Sequence, residues 1–477
     1  MRTLRLLYFG IDLRALAVLR VGLGLLLLFD LAKRVPDIGI WYVNSGLIPN
    51  HRVLWHPDPY QFSYLFALWT LPQLRVAFAL IAAVYVCFLI GYRTRLFHVL
   101  SWLSLLSLQT RVSLLSNGGD YVFCTLMLWT AFMPLGARWS VDALRSGREP
   151  TSELFVSLSV FALRMQLFVI YLFNAWNKSG ESWREGTAVY YMLQQARIVT
   201  ALGVWVREHA PLSLLRALTY GTLVIEWAIA LLIVLPSRNR WPRRIAIALI
   251  WGLHLNIALL ANLGVFSPVM LVFSLCLLGS EDFGVRAPEP QQQQSLVPKG
   301  VVARLRELVV AVLIACASSQ LVLENHALLG AFAHEQPEWL RAVIGYVRLN
   351  QGWSMFAPEA PVYDSWIVVD AVTTSGRHVD PFNHRASLVV DPTLRSVPPR
   401  LGQDVFFCDY TARIADAPEF HDPLHDWILN HGRRTRRPGD SVVRFNAYFI
   451  SHRIPRPGEP GPTEQLVRVF LSGSRVP

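Results

Sequence analysis

The sequence is poor in charged residues. Asp, Glu, Lys and Arg make up only 16% of its 477 residues, whereas 53% are hydrophobic. Soluble globular domains usually contain about 25% charged residues, so a water-soluble fold is not expected for the whole chain. The apolar residues form runs close to the ~20 residues that cross a ~30 Å hydrocarbon layer. These runs predict a multi-pass membrane protein that resides in a lipid bilayer.

Cysteine is also scarce, and no two cysteines form a CxxC pair. Four of the five lie in apolar runs, where cysteine usually packs as a small core residue. The sequence therefore predicts neither a disulfide framework nor a metal site. The cysteines are Cys87, Cys124, Cys276, Cys316 and Cys408.

A continuous basic surface is missing as well, although the net charge is +11. The Lys and Arg residues lie between apolar runs, which argues against nucleic-acid binding. They follow instead the tendency of basic residues to collect in cytoplasmic loops. The loop 238–244 contains four arginines, whereas the loops 113–118 and 262–263 contain no Lys or Arg. We therefore expect an inner-membrane protein with a cytoplasmic N-terminus and a periplasmic C-terminal domain.

Nine segments are predicted to span the membrane, so the expected fold is an all-α multi-pass bundle of eight or nine transmembrane helices. The segment 264–279 is the shortest and is interpreted as a tilted or re-entrant span. The first segment contains Arg20 and lacks a small-residue cleavage site, so we expect it to be retained. The nine segments are residues 13–31, 76–92, 95–112, 119–136, 153–175, 214–236, 243–261, 264–279 and 303–323.

The chain divides into a membrane domain and a C-terminal domain. Residues 1–280 hold the first eight spans, and residues 281–300 are rich in Pro, Gln and charge, which is typical of a linker. Residues 301–323 form the last span. Residues 324–477 contain apolar and β-branched stretches, such as DSWIVVDAV and VVRFNAYFI, that predict strands. We expect a β-rich extracytoplasmic domain there.

Ionisable residues inside predicted spans are costly and are usually paired or functional. Arg20 and Arg164 lie within spans, as do Asp120 and Glu226. One interpretation is that an acidic residue of this set neutralises one of the arginines inside the bundle. The alternative is that Arg164, Asp120 and Glu226 line a cavity for a polar or redox-active ligand, with Arg20 as a structural charge. His254 lies in another span and is either a satisfied core residue or a functional group.

The stretch NAWNKSGESW follows the fifth span and contains Lys178. This lysine is either an interfacial residue whose ammonium reaches the headgroups or a lysine desolvated by Trp176, Trp183 and Tyr190. Desolvation disfavours the ammonium form and makes a neutral amine available as a base.

The loop LLSNGGDY carries Asn117, Gly119 and Asp120 at the start of the fourth span, on the side predicted for Lys178. Asp120 is suited to capping that helix. Paired glycines would also let a ligand approach the backbone closely.

Four pieces of the sequence together resemble a known family. They are VLRVGLGLLLLFDLAKR, SNGGDYVFCTLMLWTAFMPLGARWSVD, NKSGESWREGTAVYY and HLNIALLANLGVFSPVML. Over about residues 10–280 the chain resembles the HTTM (horizontally transferred transmembrane) family, bacterial relatives of the vitamin K-dependent γ-glutamyl carboxylase. A weaker likeness relates GWSMFAP and the strand after it to the start of the carboxylase's lumenal β domain.

The resemblance implies roles for single residues. Lys178 falls where the carboxylase has its catalytic lysine, a general base toward a reduced quinone, with O2 and CO2 as co-substrates and no metal. His254 falls at the family's helix histidine. Gly119 departs from the pattern, because the carboxylase has a histidine at that place.

The leading hypothesis is a quinol-dependent, carboxylase-like lyase that acts near the outer leaflet on a protein or peptide outside the cytoplasm. Lys178 is the predicted base, and His254 is the second predicted catalytic residue. The predicted ligand-binding residues are Asn117, Gly119, Asp120, Arg164, Trp183 and Glu226.

The competing hypothesis is a non-catalytic membrane scaffold or immunity-type factor whose β domain binds an extracytoplasmic partner, and Gly119 favours it. A transporter is a third hypothesis, although the Arg-rich loops do not suggest a polar path through the bundle. A pocket lined by Lys178, Asp120 and His254 would favour the enzyme. A lysine that points to solvent would favour the scaffold.

Overall fold

Helices form most of the structure, as the apolar runs predict. In the computed structural model a helix lies at each of the nine predicted spans. The described residues are 2–55, 60–147, 153–237, 239–284, 300–325, 335–383, 385–386, 404–436, 440–461 and 465–474. Residues 285–299 of the predicted linker lie outside them.

Five helices of the described part of the chain are long and apolar enough to cross a membrane. They are Leu13–Arg34, Leu71–Ile90, Leu158–Asn177, Leu212–Val234 and Trp241–Leu260. The segment predicted to be tilted or re-entrant holds a shorter apolar helix, Phe266–Leu277. A membrane protein is therefore supported, while the exact number of spans stays a prediction.

The N-terminal part of the chain, up to residue 325, contains sixteen helices among its described residues and one short antiparallel pair of strands, β1 (Gly10–Asp12) and β2 (Leu154–Val156). The helices are α1 (Arg2–Phe9), α2 (Leu13–Arg34), α3 (Ile38–Trp41), α4 (Asn50–Trp55), α5 (Leu71–Ile90), α6 (Thr94–Arg111), α7 (Gly118–Thr130), α8 (Val141–Ser146), α9 (Leu158–Asn177), α10 (Glu181–Arg184), α11 (Ala188–Gln194), α12 (Ala201–His209), α13 (Leu212–Val234), α14 (Trp241–Leu260), α15 (Phe266–Ser274) and α16 (Val301–Glu324).

Local sequence sets where α5 begins and ends. The backbone N–H of Thr70 donates to the Gln73 side chain at 3.2 Å, and Pro72 lies in the first turn, where its missing N–H costs nothing. The helix ends at Gly91, whose φ of 71° is left-handed and favours glycine. Helix α5 therefore ends next to Arg20 of α2, whose guanidinium donates to the carbonyl of Leu89.

Helix α9 lies in the interior of the bundle. It contacts α7, α13 and α16, and α14 packs between α13 and α15. In the most apolar stretch of α9 61% of the residues are buried, against 28% in α13 and 22% in α14. Helices α13 and α14 therefore form a wall with one face toward α9 and the other toward the surroundings of the bundle.

The C-terminal domain contains a five-stranded antiparallel sheet with β3 at its centre. Its strand order is β5-β4-β3-β6-β7, and the long β3–β6 pair runs from Tyr363↔Arg453 to Thr373↔Val442. The predicted strands are present in the sheet. They are β3 (Tyr363–Thr373), β4 (His378–Asp380), β5 (Arg385–Ala386), β6 (Val442–Arg453) and β7 (Gln465–Ser474).

The described residues from 335 onward also form four α-helices, so the prediction of a β-rich domain is incomplete. They are α17 (Glu338–Val347), α18 (Val405–Arg413), α19 (His421–Leu429) and α20 (His431–Thr435). Helix α18 contacts β3 on one side and the 3-10 turn Ser113–Leu115 of the bundle on the other. The sheet is thereby held against the end of the bundle where α7 begins.

Candidate functional site

A cavity of about 370 Å³ lies beside α9, between α13 and α14. Its walls are mostly apolar, and its polar lining groups include Lys178, Glu226 and His254. Leu218 of α13 lines the cavity and is also partly exposed on the outside of the bundle. An apolar cavity with a few convergent polar groups is typical of a small-molecule site.

Lys178 and Glu226 form a buried ion pair in this cavity. Lys178 follows the last residue of α9, and its Nζ donates to Glu226 Oε1 at 2.5 Å and Oε2 at 2.6 Å. The two side chains are only 5% and 9% exposed. Neither charge would be tolerated alone at such burial, so each residue depends on the other.

The ring of Trp183 provides a third contact to Lys178. Its centroid lies 4.8 Å from Nζ, which is within range of a cation–π interaction. Of the three aromatic residues predicted to desolvate the lysine, Trp176 is exposed, and Tyr190 donates from its hydroxyl to the Pro455 carbonyl. Burial of Lys178 therefore comes from Trp183 and the cavity walls, and the lysine does not point to solvent.

His254 faces the same cavity from α14. Its Nε2 shares a hydrogen bond of 2.9 Å with the hydroxyl of Tyr171 on α9, and its ring packs edge-on against Phe266. The other ring nitrogen, Nδ1, is buried and has no hydrogen-bond partner in the described part of the chain. A buried, unpartnered polar atom is uncommon in a folded protein and indicates room for a ligand or a water molecule.

The start of the C-terminal domain completes the cavity. Met355 and Phe356 line it, and each is fixed by a bond to the bundle. The backbone N–H of Met355 donates to Asn174 Oδ1 at 2.9 Å, and Trp183 Nε1 donates to the Phe356 carbonyl at 2.8 Å. The cavity is therefore built by both domains.

Glu359 anchors this connection. Its carboxylate accepts hydrogen bonds from the backbone N–H groups of Glu181 and Ser182 and from the Ser182 hydroxyl. Burial alone would raise the pKa of Glu359, but these hydrogen bonds outweigh it and lower the pKa below its usual value. The carboxylate is thus held in its charged form against the residues that follow Lys178.

The two arginines of the predicted spans lie elsewhere and bind backbone carbonyls. Arg20 donates to the carbonyls of Leu89 at 3.3 Å and Leu135 at 3.0 Å. Arg164 donates to the carbonyls of Leu7 at 2.8 Å and Cys276 at 3.4 Å. Neither forms an ion pair with an acidic residue of the described chain, so the predicted pairing with Asp120 or Glu226 is wrong.

Asp120 belongs to a separate buried network. It accepts from the backbone N–H of Asn117 at 3.0 Å, from Gln109 Nε2 at 3.2 Å and from Arg34 Nη2 at 3.4 Å. Arg34 also binds Asp30, at 2.8 and 3.0 Å. Asp120 therefore belongs to the capping box of α7 as its third residue, whereas the N-cap position predicted for it is occupied by Asn117. It does not line the Lys178 cavity.

The Asn117–Gly119 loop contacts both α15 of the bundle and α18 of the C-terminal domain. Asn117 Nδ2 donates to Asp409 of α18 at 3.2 Å, and its Oδ1 accepts from the Gly119 N–H at 3.0 Å. A Cβ on Gly119 would lie 2.7 Å from the backbone nitrogen of Phe266. The close approach of α15 therefore requires glycine here and leaves no space for a histidine.

The structure thus brings together four of the predicted residues, Lys178, His254, Trp183 and Glu226. Tyr171, Asn174, Met355 and Phe356 were not predicted. Tyr171 and Asn174 precede Lys178 by seven and four residues, which places all three on one helical face and could have identified them. No pattern in the sequence indicates that residues 355–356 lie against the Lys178 cavity.

A second cavity of about 400 Å³ adjoins the first and shares Asn174, Phe266 and Met355 with it. It extends past Gly118 to Glu324 and the stretch 350–355. This second cavity leads from the Lys178 site toward the C-terminal domain.

Comparison with known proteins gives one family and one relative. The family model described as "HTTM domain" matches residues 8–282, which contain Lys178, Glu226 and His254. A protein of Bacillus subtilis (strain 168), named uncharacterized protein YitO, is 27% identical over 195 residues. Those residues are 39% of this chain and 62% of that protein, so the chain spans about three-fifths of the relative's length. No solved structure matches.

Proposed function

The chain belongs to the HTTM domain family, and from this premise we propose that it is a membrane enzyme that deprotonates a lipid-soluble hydroquinone in the Lys178 cavity. The observation that carries the proposal is the ion pair of Lys178 and Glu226, buried in an otherwise apolar cavity. Ionisable residues buried inside a membrane bundle are usually functional, so this pair at the wall of a cavity is a candidate acid–base group.

The residues of the cavity fit a quinone. Apolar walls on α13 and α14 suit its ring and tail, and a volume of about 370 Å³ lies in the range of small-molecule sites. His254 Nδ1 is the unpartnered buried atom that a ligand oxygen would satisfy. Lys178 and His254 would hold the quinone oxygens, and Trp183 would pack against Lys178 from the other side.

A reduced quinone supplies two electrons and two hydroxyl protons when bound. Lys178 accepts a proton only as the neutral amine, because a protonated amine has no lone pair to accept with. Its own proton must first move to Glu226, and the Nζ–Oε1 distance of 2.5 Å places the carboxylate for that transfer. Glu226 therefore stores the proton and Lys178 acts as the base.

We extend the proposal to a carboxylase-like lyase that uses O2 and CO2 on a protein or peptide substrate. Support comes from the family membership and from the second cavity, which leads from Lys178 toward the C-terminal domain. The backbone of Phe266 occupies the space that a side chain at Gly119 would need, so no histidine fits there. Any acid–base role beyond Lys178 and Glu226 therefore falls to His254 and Tyr171.

We also propose that the C-terminal domain lies outside the cytoplasm and that the protein resides in the inner membrane. Arg243 donates to the carbonyl of Leu7, and Arg244 pairs with Asp282 at 2.5 Å. Segments predicted to be cytoplasmic therefore gather at one end of the bundle. The C-terminal domain packs at the end that holds Lys178 and Asn117. This arrangement agrees with the tendency of arginine to remain in the cytoplasm.

The test uses purified full-length protein, with quinone content measured by mass spectrometry and quinol oxidation followed by ultraviolet absorbance. Labelled bicarbonate in the same assay reports carboxylation. Lys178→Ala and Glu226→Gln should each abolish quinol oxidation, while Glu208→Gln on the exposed side of α12 should not change it. If the wild-type protein neither binds nor oxidises quinol, or if Lys178→Ala keeps full activity, the proposal is wrong.

One observation favours a non-catalytic partner-binding role instead. Strand β7 is an edge of the described sheet, and its side chains Leu466, Val467 and Val469 are exposed. An apolar edge strand invites pairing with another chain. Val469→Lys should then abolish binding of the partner and leave quinol oxidation untouched, which separates the two functions.

A further inference from the structure

A polar pocket that the proposed chemistry does not use lies between the bundle and α17. It encloses about 300 Å³, and we name it the arginine pocket. Six of its lining residues define it: Gln61, Tyr121, Gln336, Arg341, Arg348 and Asn350. Among the described residues, both of its charged lining residues are arginines and no acidic residue lines it.

Arg348 is the central group of the arginine pocket. It is only 8% exposed, its Cζ lies 4.6 Å from the centroid of the Tyr121 ring, and its Nη2 donates to Ser116 Oγ at 3.0 Å. Its Nε is buried without a hydrogen-bond partner, and within the described residues Arg348 has no ion pair. The carboxylate of Asp120 acts on Arg348 only from beyond ion-pair distance and is already bound by Arg34 and Gln109. A guanidinium this deeply buried and not directly paired would be stabilised by an anion that binds it.

The other lining groups suit an oxyanion. The guanidinium of Arg341 is exposed at the edge of the pocket, and the amides of Gln61, Gln336 and Asn350 can donate hydrogen bonds. Glu338 is the acidic residue beside the pocket, and its carboxylate already accepts from Tyr60 at 3.0 Å. A forked guanidinium with neutral donors around it matches the bidentate binding of phosphate.

Exposed aromatic residues surround the entrance of the pocket. Tyr60 contacts Tyr346 of α17, with ring centroids 6.1 Å apart, and Tyr346 and Trp339 are both exposed on that helix. Phe62 and Tyr64, two and four residues after Tyr60, are also exposed. Such aromatic side chains are enriched at the level of the lipid headgroups. The entrance of the arginine pocket is thus near aromatic side chains of the kind that lie at the headgroup level in membrane proteins.

We propose that the arginine pocket binds the phosphate group of a membrane phospholipid, with Arg348 as the principal contact and Arg341 as the second. Basic pockets beside membrane helices are a general means of holding lipid headgroups. The aromatic surroundings favour a lipid phosphate over a free phosphate ion. The arginine pocket shares no lining residue with the Lys178 cavity, although it shares Tyr121 and Asn350 with the second cavity.

The test uses full-length protein, purified in detergent and stripped of lipid. The shift of its thermal unfolding midpoint is titrated with short-chain phosphatidylglycerol, with the matching diacylglycerol and with inorganic phosphate. Phosphatidylglycerol should stabilise the wild-type protein, and Arg348→Gln should weaken its apparent affinity at least tenfold. Arg207→Gln, an arginine on α12 outside the pocket, should bind as the wild type does.

Arg341→Gln is the second variant, because Arg341 is exposed and its loss leaves the fold intact. It should weaken phosphatidylglycerol binding about threefold even if Arg348→Gln fails to fold. The proposal is overturned if diacylglycerol stabilises as strongly as phosphatidylglycerol, or if Arg341→Gln and every folded Arg348 variant bind lipid like the wild type. Stabilisation by inorganic phosphate without any by phosphatidylglycerol would overturn it as well.

Discussion

The Nζ atom of Lys178 lies 2.5 and 2.6 Å from the two carboxylate oxygens of Glu226, although the residues are 48 positions apart and sit on different helices. The pair joins the end of α9 to the middle of α13 across a cavity wall. Because both side chains are buried, the loss of either one alone would leave the other as an unpaired buried charge. The first prediction follows from this dependence.

Removal of one partner should destabilise the protein more than removal of both. Lys178→Met and Glu226→Leu each leave an unpaired buried charge, which typically costs about 3–5 kcal/mol. The double variant buries two apolar groups instead and should recover most of that loss. Thermal and denaturant unfolding of the four proteins in detergent measures the coupling. Additive effects of the two substitutions would mean that the pair does not form.

Gly119 should not tolerate a side chain. Its Cβ would meet the backbone of Phe266 at 2.7 and 2.9 Å, so Gly119→Ala should destabilise by about 1–3 kcal/mol as α15 is pushed away. Gly118→Ala is the matched control, because there the added carbon meets only the flexible end of Met355 at 3.0 Å. Unfolding midpoints of the two variants provide the comparison. Equal effects at both glycines would contradict the close packing.

The sequence predicts the helices well because their apolar length is a local property. Each of the nine predicted segments contains a helix, and Asp120 takes part in the capping box of α7, although Asn117 is its N-cap. Charge pairing is not local. Arg20 and Arg164 bind backbone carbonyls at the ends of other segments, which a search for acidic partners does not find. The pairing of Lys178 with Glu226 likewise depends on how two helices cross.

In the C-terminal domain, too, locally encoded features are predicted, whereas contacts between distant residues are not. Its strands are rich in apolar and β-branched residues, which predicts β3, β6 and β7. The helices α18 and α19 are only nine residues each, with mixed composition, and were missed. The placement of Met355 and Phe356 against the Lys178 cavity depends on contacts between domains and has no periodic signal.

Glu359→Gln should loosen the C-terminal domain from the Lys178 segment. A glutamine has one acceptor oxygen where the carboxylate has two, and its NH2 group faces the donors of Glu181 and Ser182. Because Glu359 is exposed to solvent, we expect a loss of only about 1 kcal/mol. Amide hydrogen exchange at residues 181–182 should therefore accelerate about fivefold. Glu208→Gln is the control, and unchanged exchange in Glu359→Gln would contradict the anchoring role.

The C-terminal domain should be more stable at mildly acidic pH than at neutral pH. Burial raises the pKa of Asp364 to about 6, although the hydrogen bond from the Ala196 N–H opposes it, and burial likewise raises the pKa of Asp380 to about 6. The folded state therefore binds a proton more tightly than the unfolded state, whose carboxyl pKa is near 3.8. This contribution to stability is present below that value and is lost as the pH rises through about 6.

Asp364→Asn isolates one of these carboxyls. Its Oδ2 accepts a hydrogen bond from the Ala196 N–H at 2.9 Å, which an asparagine oxygen can keep, and its Oδ1 has no hydrogen-bond partner within the described residues. The variant mimics the protonated acid, so it should stabilise the domain at pH 7 by on the order of 1–2 kcal/mol and have little effect at pH 4. Unfolding followed between pH 4 and 7 measures both quantities. A variant that is destabilised equally at every pH would show that burial does not raise the pKa of Asp364.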